Sequence, residues 1–295
     1  MLERLARVSA VPIVPFHADG SIDETATGAV VARMADAGVG VVVPCGGTGE
    51  FSALTPAERE RVVRLTLEAS GDALVLAGVG GDAASAAAAA GSATSAGAAG
   101  VMVHALVDPY LTADGTVRYF ERVAAACDGV VVPYLRGRLP SPATLEGVVA
   151  IDGVVAVKWA IADLQGFAGF AARYGGDVVP ICGLAELWAP FFALAGGRGF
   201  TSGLVNLDAA RPLALDEALR AGDLPAAMAI WREVRPFELL RARHDAGNNV
   251  PAVKEACALA GLIPDGAVRP PLAPLSPADR AELEAIVGAL LAPVR

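Results

Sequence analysis

The chain has 295 residues, 54% hydrophobic and 19% charged, with a formal net charge of −9. Such an apolar fraction supplies a large core and excludes a disordered chain, and the acidic balance leaves no basic footprint for nucleic acid. Four Cys without C-x-x-C spacing indicate neither a zinc site nor a disulfide framework, so a reducing, cytoplasmic setting is expected.

The N-terminal segment carries an early acid and two prolines, unlike a signal peptide. Residues 83–99 are apolar only through Ala, with Ser and Gly between, and no run of ~20 strongly apolar residues follows. No membrane partner is expected. Short β-branched runs then begin near Val11, Val41, Leu74, Val101, Val130, Val154, Val178 and Phe200. Continuous apolar runs, rather than alternating ones, mark parallel strands buried on both faces. The Ala-rich stretches between them are long enough for crossover helices. Thr55-Pro56, Ser141-Pro142 and Ser276-Pro277 each place a capping hydroxyl before a proline at the first helical position.

Eight such units predict a (β/α)8 TIM barrel over residues 1–222. A doubly wound open sheet is the alternative, but the first run leads into His17-Ala-Asp-Gly-Ser-Ile-Asp23, a turn without a G-x-G-x-x-G fingerprint. Beyond residue 222 only helical patterns remain, over Leu224–His244, Val250–Leu262 and Pro277–Leu291. They predict a C-terminal helical extension, residues 223–295, packed on the barrel.

Barrel chemistry sits at the C-terminal ends of the strands. This rule selects the Cys45–Glu50 loop, His104, Tyr134, Lys158, Gly183 and Thr201-Ser202-Gly203. Of 23 basic residues only Lys158 and Lys254 are lysines, so chemistry that needs a primary amine has two candidates. Lys158 leaves an apolar strand, where desolvation lowers an amine's pKa and makes it a nucleophile toward ketones. The bland reading is a lysine that snorkels or pairs with Asp163. Lys254 falls in a helical stretch, where a solvated or salt-bridged lysine is expected. The Gly46-Gly47-Thr48-Gly49 loop offers backbone N–H groups suited to a carboxylate, although such a turn is often only a turn. Tyr134 is either a core-edge aromatic or a proton shuttle above an imine. A Cys45 nucleophile with His104 as base is a weaker possibility, and three scattered His argue against a metal. Nothing calls for a cofactor.

Together these residues resemble the dihydrodipicolinate synthase / N-acetylneuraminate lyase family of class I aldolases and dehydratases. The likeness runs nearly end to end: P-F-H-A-D-G-S-I-D (15–23), G-G-T-G-E-F-S-A-L-T-P-A-E-R (46–59), D-P-Y-L-T (108–112), V-P-Y-L-R (132–136), V-A-V-K (155–158), V-P-A-V-K-E-A (250–256) and V-R-P-P-L (268–272). The resemblance implies a Schiff base between Lys158 and an α-keto acid, proton shuttling by Tyr134, and amides of Gly47 and Thr48 on the C1 carboxylate. Gly46, Gly183 and Ser202 would complete the substrate site. It also implies a homotetramer built as a dimer of dimers.

The synthase itself carries Thr at the position of Gly47 and a second Tyr at that of Leu111, so two relay members are absent here. The forms G-G-T-G-E-F, P-Y-L-T and Y-x-R look more like 5-dehydro-4-deoxyglucarate dehydratases, in which Arg136 would meet a distal carboxylate. Leu135 and Trp159-Ala160 depart from the usual Asn and Asp-Gly, and a large indole beside the nucleophile is expected to reshape the pocket. Synthase-like or 2-keto-3-deoxy sugar acid aldolase chemistry is the alternative. A catalytically impaired sugar-acid-binding barrel is the non-enzyme alternative.

Overall fold

In a computed structural model, which describes residues 1–106 and 108–292, eight parallel strands close into one barrel in chain order. They are β1 (Val8–Ala10), β2 (Val41–Val42), β3 (Leu74–Val79), β4 (Gly100–His104), β5 (Val130–Arg136), β6 (Ala156–Ala160), β7 (Val179–Cys182) and β8 (Gly199–Ser202). A short helix α1 (Leu2–Leu5) precedes β1. The outer ring is α2 (Glu24–Asp36), α3 (Pro56–Ala69), α4 (Ala83–Ser95), α5 (Ala113–Ala124), α6 (Pro142–Val149), α7 (Leu164–Tyr174), α8 (Ala185–Leu194) and α9 (Ala210–Ala221), one after each strand. Closure of β8 onto β1, through pairs such as Ser9 with Thr201, rules out the open sheet.

Local chemistry explains the helix starts. Thr55 and Glu58 form a capping box on α3 with Pro56 behind the cap, and Ser141 caps α6 ahead of Pro142. Asp163 caps α7 by accepting from the Gly166 amide, so it is not the partner of Lys158. Gly222, in the left-handed region at φ 72°, ends α9. Three further helices follow: α10 (Leu224–Ala246), α11 (Asn249–Leu259) and α12 (Pro277–Leu291), with α10 packed on α8 and α9.

The first strand lies earlier than the Val11-Pro-Ile-Val-Pro-Phe run suggests. Pro12 and Pro15 have no N–H for a ladder, so pairing stops at Ala10. The run stays buried, with Val11 N–H on the Ser202 carbonyl at 3.0 Å and Ile13 N–H on Asn206 Oδ1 at 2.9 Å.

Strand alternation divides the core into two layers. Leu76, Met102, Val132, Tyr134, Ala156 and Ile181 fill the barrel interior, whereas Val103, Leu135, Val157 and Trp159 pack outward against the helices. Trp159 is fully buried among Phe167 and Phe170 of α7. The indole therefore faces away from the mouth, and the expectation that it reshapes the pocket is corrected. Leu135 is directed outward for the same reason.

Candidate active site

A cavity of about 340 Å³ opens at the C-terminal ends of the strands. Lys158, Tyr134, Gly47, Thr48, Gly183 and Ser202 line it, with Arg136 at its edge. Tyr134 and Lys158 are register partners on β5 and β6, so alternation points both into the barrel. Lys158 Nζ sits 4.0 Å from the Tyr134 ring centroid, and Arg136 Cζ lies 5.9 Å from the same ring. Gly183 makes room: a Cβ there would come within 3.0 Å of Lys158 Cγ and 2.7 Å of Ala160 Cβ.

Lys158 is buried and has no carboxylate within 4.0 Å among the described residues. Burial, and then the Arg136 guanidinium, pull its pKa down from 10.5 to about 7. An amine so placed is substantially neutral near pH 7, the state required for attack on a carbonyl. Burial also raises the Tyr134 phenol, keeping it protonated and able to donate.

The glycine loop is bracketed by Cys45 and Glu50, both non-glycine residues at φ 56°. Gly49 and Glu50 N–H groups close the turn on the Gly46 and Gly47 carbonyls at 3.1 and 3.2 Å. The amides of Gly47 and Thr48 make no hydrogen bond among the described residues, which leaves them available to an anion. Gly46 does not reach the cavity. It packs against Val11, where a Cβ would come within 2.6 Å of Val11 Cγ1.

Cys45 and His104 do approach, but not as nucleophile and base. His104 Nε2 lies 3.1 Å from the Cys45 carbonyl oxygen, while the thiol contacts the Arg59 carbonyl. Burial pushes the thiol up to about 12 and the imidazole down to about 4. His104 instead stacks on Phe51 and lies tilted against the Tyr134 ring, with centroids 5.1 Å apart.

The C-terminal helices contribute residues that strand-end reasoning missed: Glu238 and Arg241 from α10 and Asn249 from α11 also line the cavity. On α10 the Glu238–Arg241 spacing reads as an ordinary i,i+3 surface pair, so no local signal marks it as buried. Lys254 is another departure. It is salt-bridged, as expected, but fully buried rather than solvated, with Nζ 2.6 Å from Glu50 Oε1 and 4.0 Å from the Phe16 ring centroid. The Arg269 amide donates to the second Glu50 oxygen at 3.0 Å. This pair ties the glycine loop to the tail. Removing one partner of a buried pair leaves an uncompensated charge, so Lys254→Met is expected to destabilise the fold by about 3–5 kcal/mol. A thermal melt checks this, and an unchanged Tm would mean that the pair is energetically idle.

No helix among the described residues is long and apolar enough to cross a membrane, and no group of three or more His, Cys, Asp or Glu is placed to hold a metal ion. Fold and site define a (β/α)8-barrel lyase or aldolase with a buried lysine at its mouth. The match is specific: the chain belongs to the dihydrodipicolinate synthetase family, whose model covers residues 4–290. A 4-hydroxy-tetrahydrodipicolinate synthase of Syntrophobacter fumaroxidans is 32% identical over 279 residues, covering 92% of this chain and 94% of that one. An uncharacterized DapA-like lyase of Halobacterium salinarum is 36% identical over 282 residues, covering 92% and 90%. The crystal structure of dihydrodipicolinate synthase from Bacillus clausii superposes with a TM-score of 0.94 at 39% identity, covering 98% of each chain. That from Oceanobacillus iheyensis gives 0.92 at 39% identity, covering 96% of each.

Proposed function

We propose that this protein is a Schiff-base lyase of α-keto acids and that its substrate is a deoxy-keto sugar diacid such as 5-dehydro-4-deoxyglucarate. The observation that carries the reading is Lys158: a buried amine without a carboxylate partner, with a pKa near 7, on the cavity wall beside Tyr134. Its Nζ adds to the C2 carbonyl and water departs, leaving an iminium that acidifies C3. Tyr134, having given its proton to the oxygen that left C2 as water, takes the C3 proton as a phenolate; the C4 hydroxyl leaves, and the far carboxylate departs as carbon dioxide with its bonding pair passing into the conjugated iminium. The Gly47 and Thr48 amides hold the C1 carboxylate. No cofactor enters the scheme.

Dehydration is preferred to synthase chemistry on one local fact. A Cβ at Gly47 would lie 3.9 Å from the Tyr134 hydroxyl, so a threonine there would meet it, and glycine offers no such group. Condensation of pyruvate with an amino-aldehyde is the second reading, favoured by the synthase names of several relatives. Product analysis by NMR separates them. Carbon dioxide and water released from the diacid support dehydration, and pyruvate consumed only with an added aldehyde supports condensation.

Arg136 is the proposed distal anchor. A bidentate guanidinium–carboxylate contact contributes roughly 1.5–3 kcal/mol, so Arg136→Ala should lower kcat/KM for a diacid by ~10–150-fold. A monoacid keto-sugar should be little affected. Equal losses for both substrates, or none for either, would remove Arg136 from the specificity argument.

A further inference from the structure

We propose that Glu186 is a buried acid acting through Ser202, and that the pair delivers the proton taken up by the C4 oxygen as it leaves the substrate. This rests on the dehydration reading above. Tyr134 lies on the β5 side of the cavity with Lys158, while Ser202 lines it from the end of β8. Elimination needs a base at C3 and an acid at the departing oxygen, and one phenol on one wall is poorly placed for both.

Glu186 stands in the first turn of α8 and is completely buried behind Ser202. Its Oε1 and Ser202 Oγ are hydrogen-bonded, and the Val205 amide donates to the same Oγ at 3.2 Å. Its Oε2 has no hydrogen-bond partner among the described residues. An orphaned, fully buried carboxylate oxygen is costly, whereas the carbonyl oxygen of a neutral acid is far cheaper to leave unpaired. With the proton on Oε1, Glu186 donates to Ser202, and the freely rotating Ser202 hydroxyl turns its own proton to the cavity.

The groups facing Glu186 favour that neutral form. From α10 come Glu238 and Arg241, and from β7 comes the Cys182 thiol, which burial holds protonated. Arg241 is already committed: Nη1 donates to Glu238 Oε1 at 2.5 Å and Nη2 to Asn249 Oδ1 at 2.7 Å. One buried cation thus balances one carboxylate, and a second carboxylate would stand uncompensated. Burial first, and Glu238 second, raise the Glu186 pKa to about 8 against the opposing pull of Arg241 and the Ser202 hydrogen bond. The acid is therefore loaded at neutral pH.

In the step, the enamine pair at C2–C3 becomes the C3=C4 bond while the nitrogen lone pair restores the iminium. The C4–O bond breaks, the oxygen takes the Ser202 proton, and water leaves. The Glu186 proton moves to Ser202 Oγ, and solvent reprotonates the carboxylate after product departs. Glu186 touches no substrate and is a positioning residue; Ser202 makes the contact.

The test compares wild type with Glu186→Gln on 5-dehydro-4-deoxyglucarate and on an analogue with fluorine at C4, a leaving group that departs without a proton. Glu186→Gln should lower kcat for the hydroxyl substrate by ~10²–10³-fold and leave fluoride release within about threefold of wild type. Borohydride trapping of pyruvate on Lys158 should proceed at the wild-type rate. Wild-type kcat should fall as pH rises through about 8, because the acid loses its proton, and the variant should lack that limb. Equal losses on both substrates, or a persistent limb, would overturn the relay alone. A wild-type protein that traps pyruvate yet leaves the diacid unchanged would overturn dehydration and the relay with it. Should Glu186→Gln fail to fold, Glu186→Met, which replaces the buried acid by an apolar side chain of similar size, carries the same comparison of leaving groups.

Discussion

Borohydride reduction in the presence of pyruvate is expected to leave a covalent adduct on Lys158 and none on Lys254. Both amines are buried, and burial lowers both, but their surroundings differ. Lys254 is held 2.6 Å from the Glu50 carboxylate, which favours the ammonium and removes the nitrogen lone pair. Lys158 faces a tyrosine ring and, further off, a guanidinium, both without negative charge to offer. With its pKa near 7 about half of Lys158 is neutral at pH 7, against roughly 0.03% for an unperturbed lysine. That difference alone contributes on the order of 10³ in available nucleophile. Trapping should accelerate as pH rises through about 7 and then level off. Lys158→Ala should lower turnover by ~10⁴–10⁶-fold, as loss of a covalent nucleophile does. Mass spectrometry that located the adduct on the Lys254 peptide would overturn the assignment. An α-keto acid that bound without any adduct would favour the sugar-acid-binding barrel.

Tyr134→Phe should lower kcat by ~10²–10⁴-fold with little change in KM, the signature of a lost proton-transfer group. The effect should fall on the phenolic oxygen alone, because the ring that supports Lys158 is retained. Burial raises the phenol's pKa, so the hydroxyl begins each cycle protonated. Gly47, the loop residue whose Cβ would come within 3.9 Å of that hydroxyl, supplies no side-chain oxygen to exchange the proton with. Imine formation should slow as well. Turnover equal to wild type would return Tyr134 to a packing role.

The barrel was legible because its signals are local. Eight apolar runs and the Thr55-Pro56, Ser141-Pro142 and Ser276-Pro277 helix starts each depend on residues a few positions apart. Val11-Pro-Ile-Val-Pro-Phe misled as a strand because it is buried and β-branched, yet two prolines withhold the ladder donors. Trp159 and Leu135 misled in another way. They adjoin site residues in sequence, but a period of two sends adjacent side chains to opposite faces, so sequence neighbours of Lys158 and Tyr134 lie outside the barrel.

The sequence by itself determined the closed α/β architecture and the short choice of amines, since periodicity, caps and composition act within a few turns of chain. Tertiary structure alone decided which distant residues meet. Glu50 and Lys254 are 204 positions apart and share a fully buried hydrogen bond, and Glu186 lies behind Ser202 with Glu238 and Arg241 closing over it. No pattern in the chain distinguishes these from surface charges. Burial turns Lys254 into a strut, pulls the Lys158 pKa down and pushes that of Glu186 up, because the cost of an ionised group depends on what surrounds it once the chain has closed.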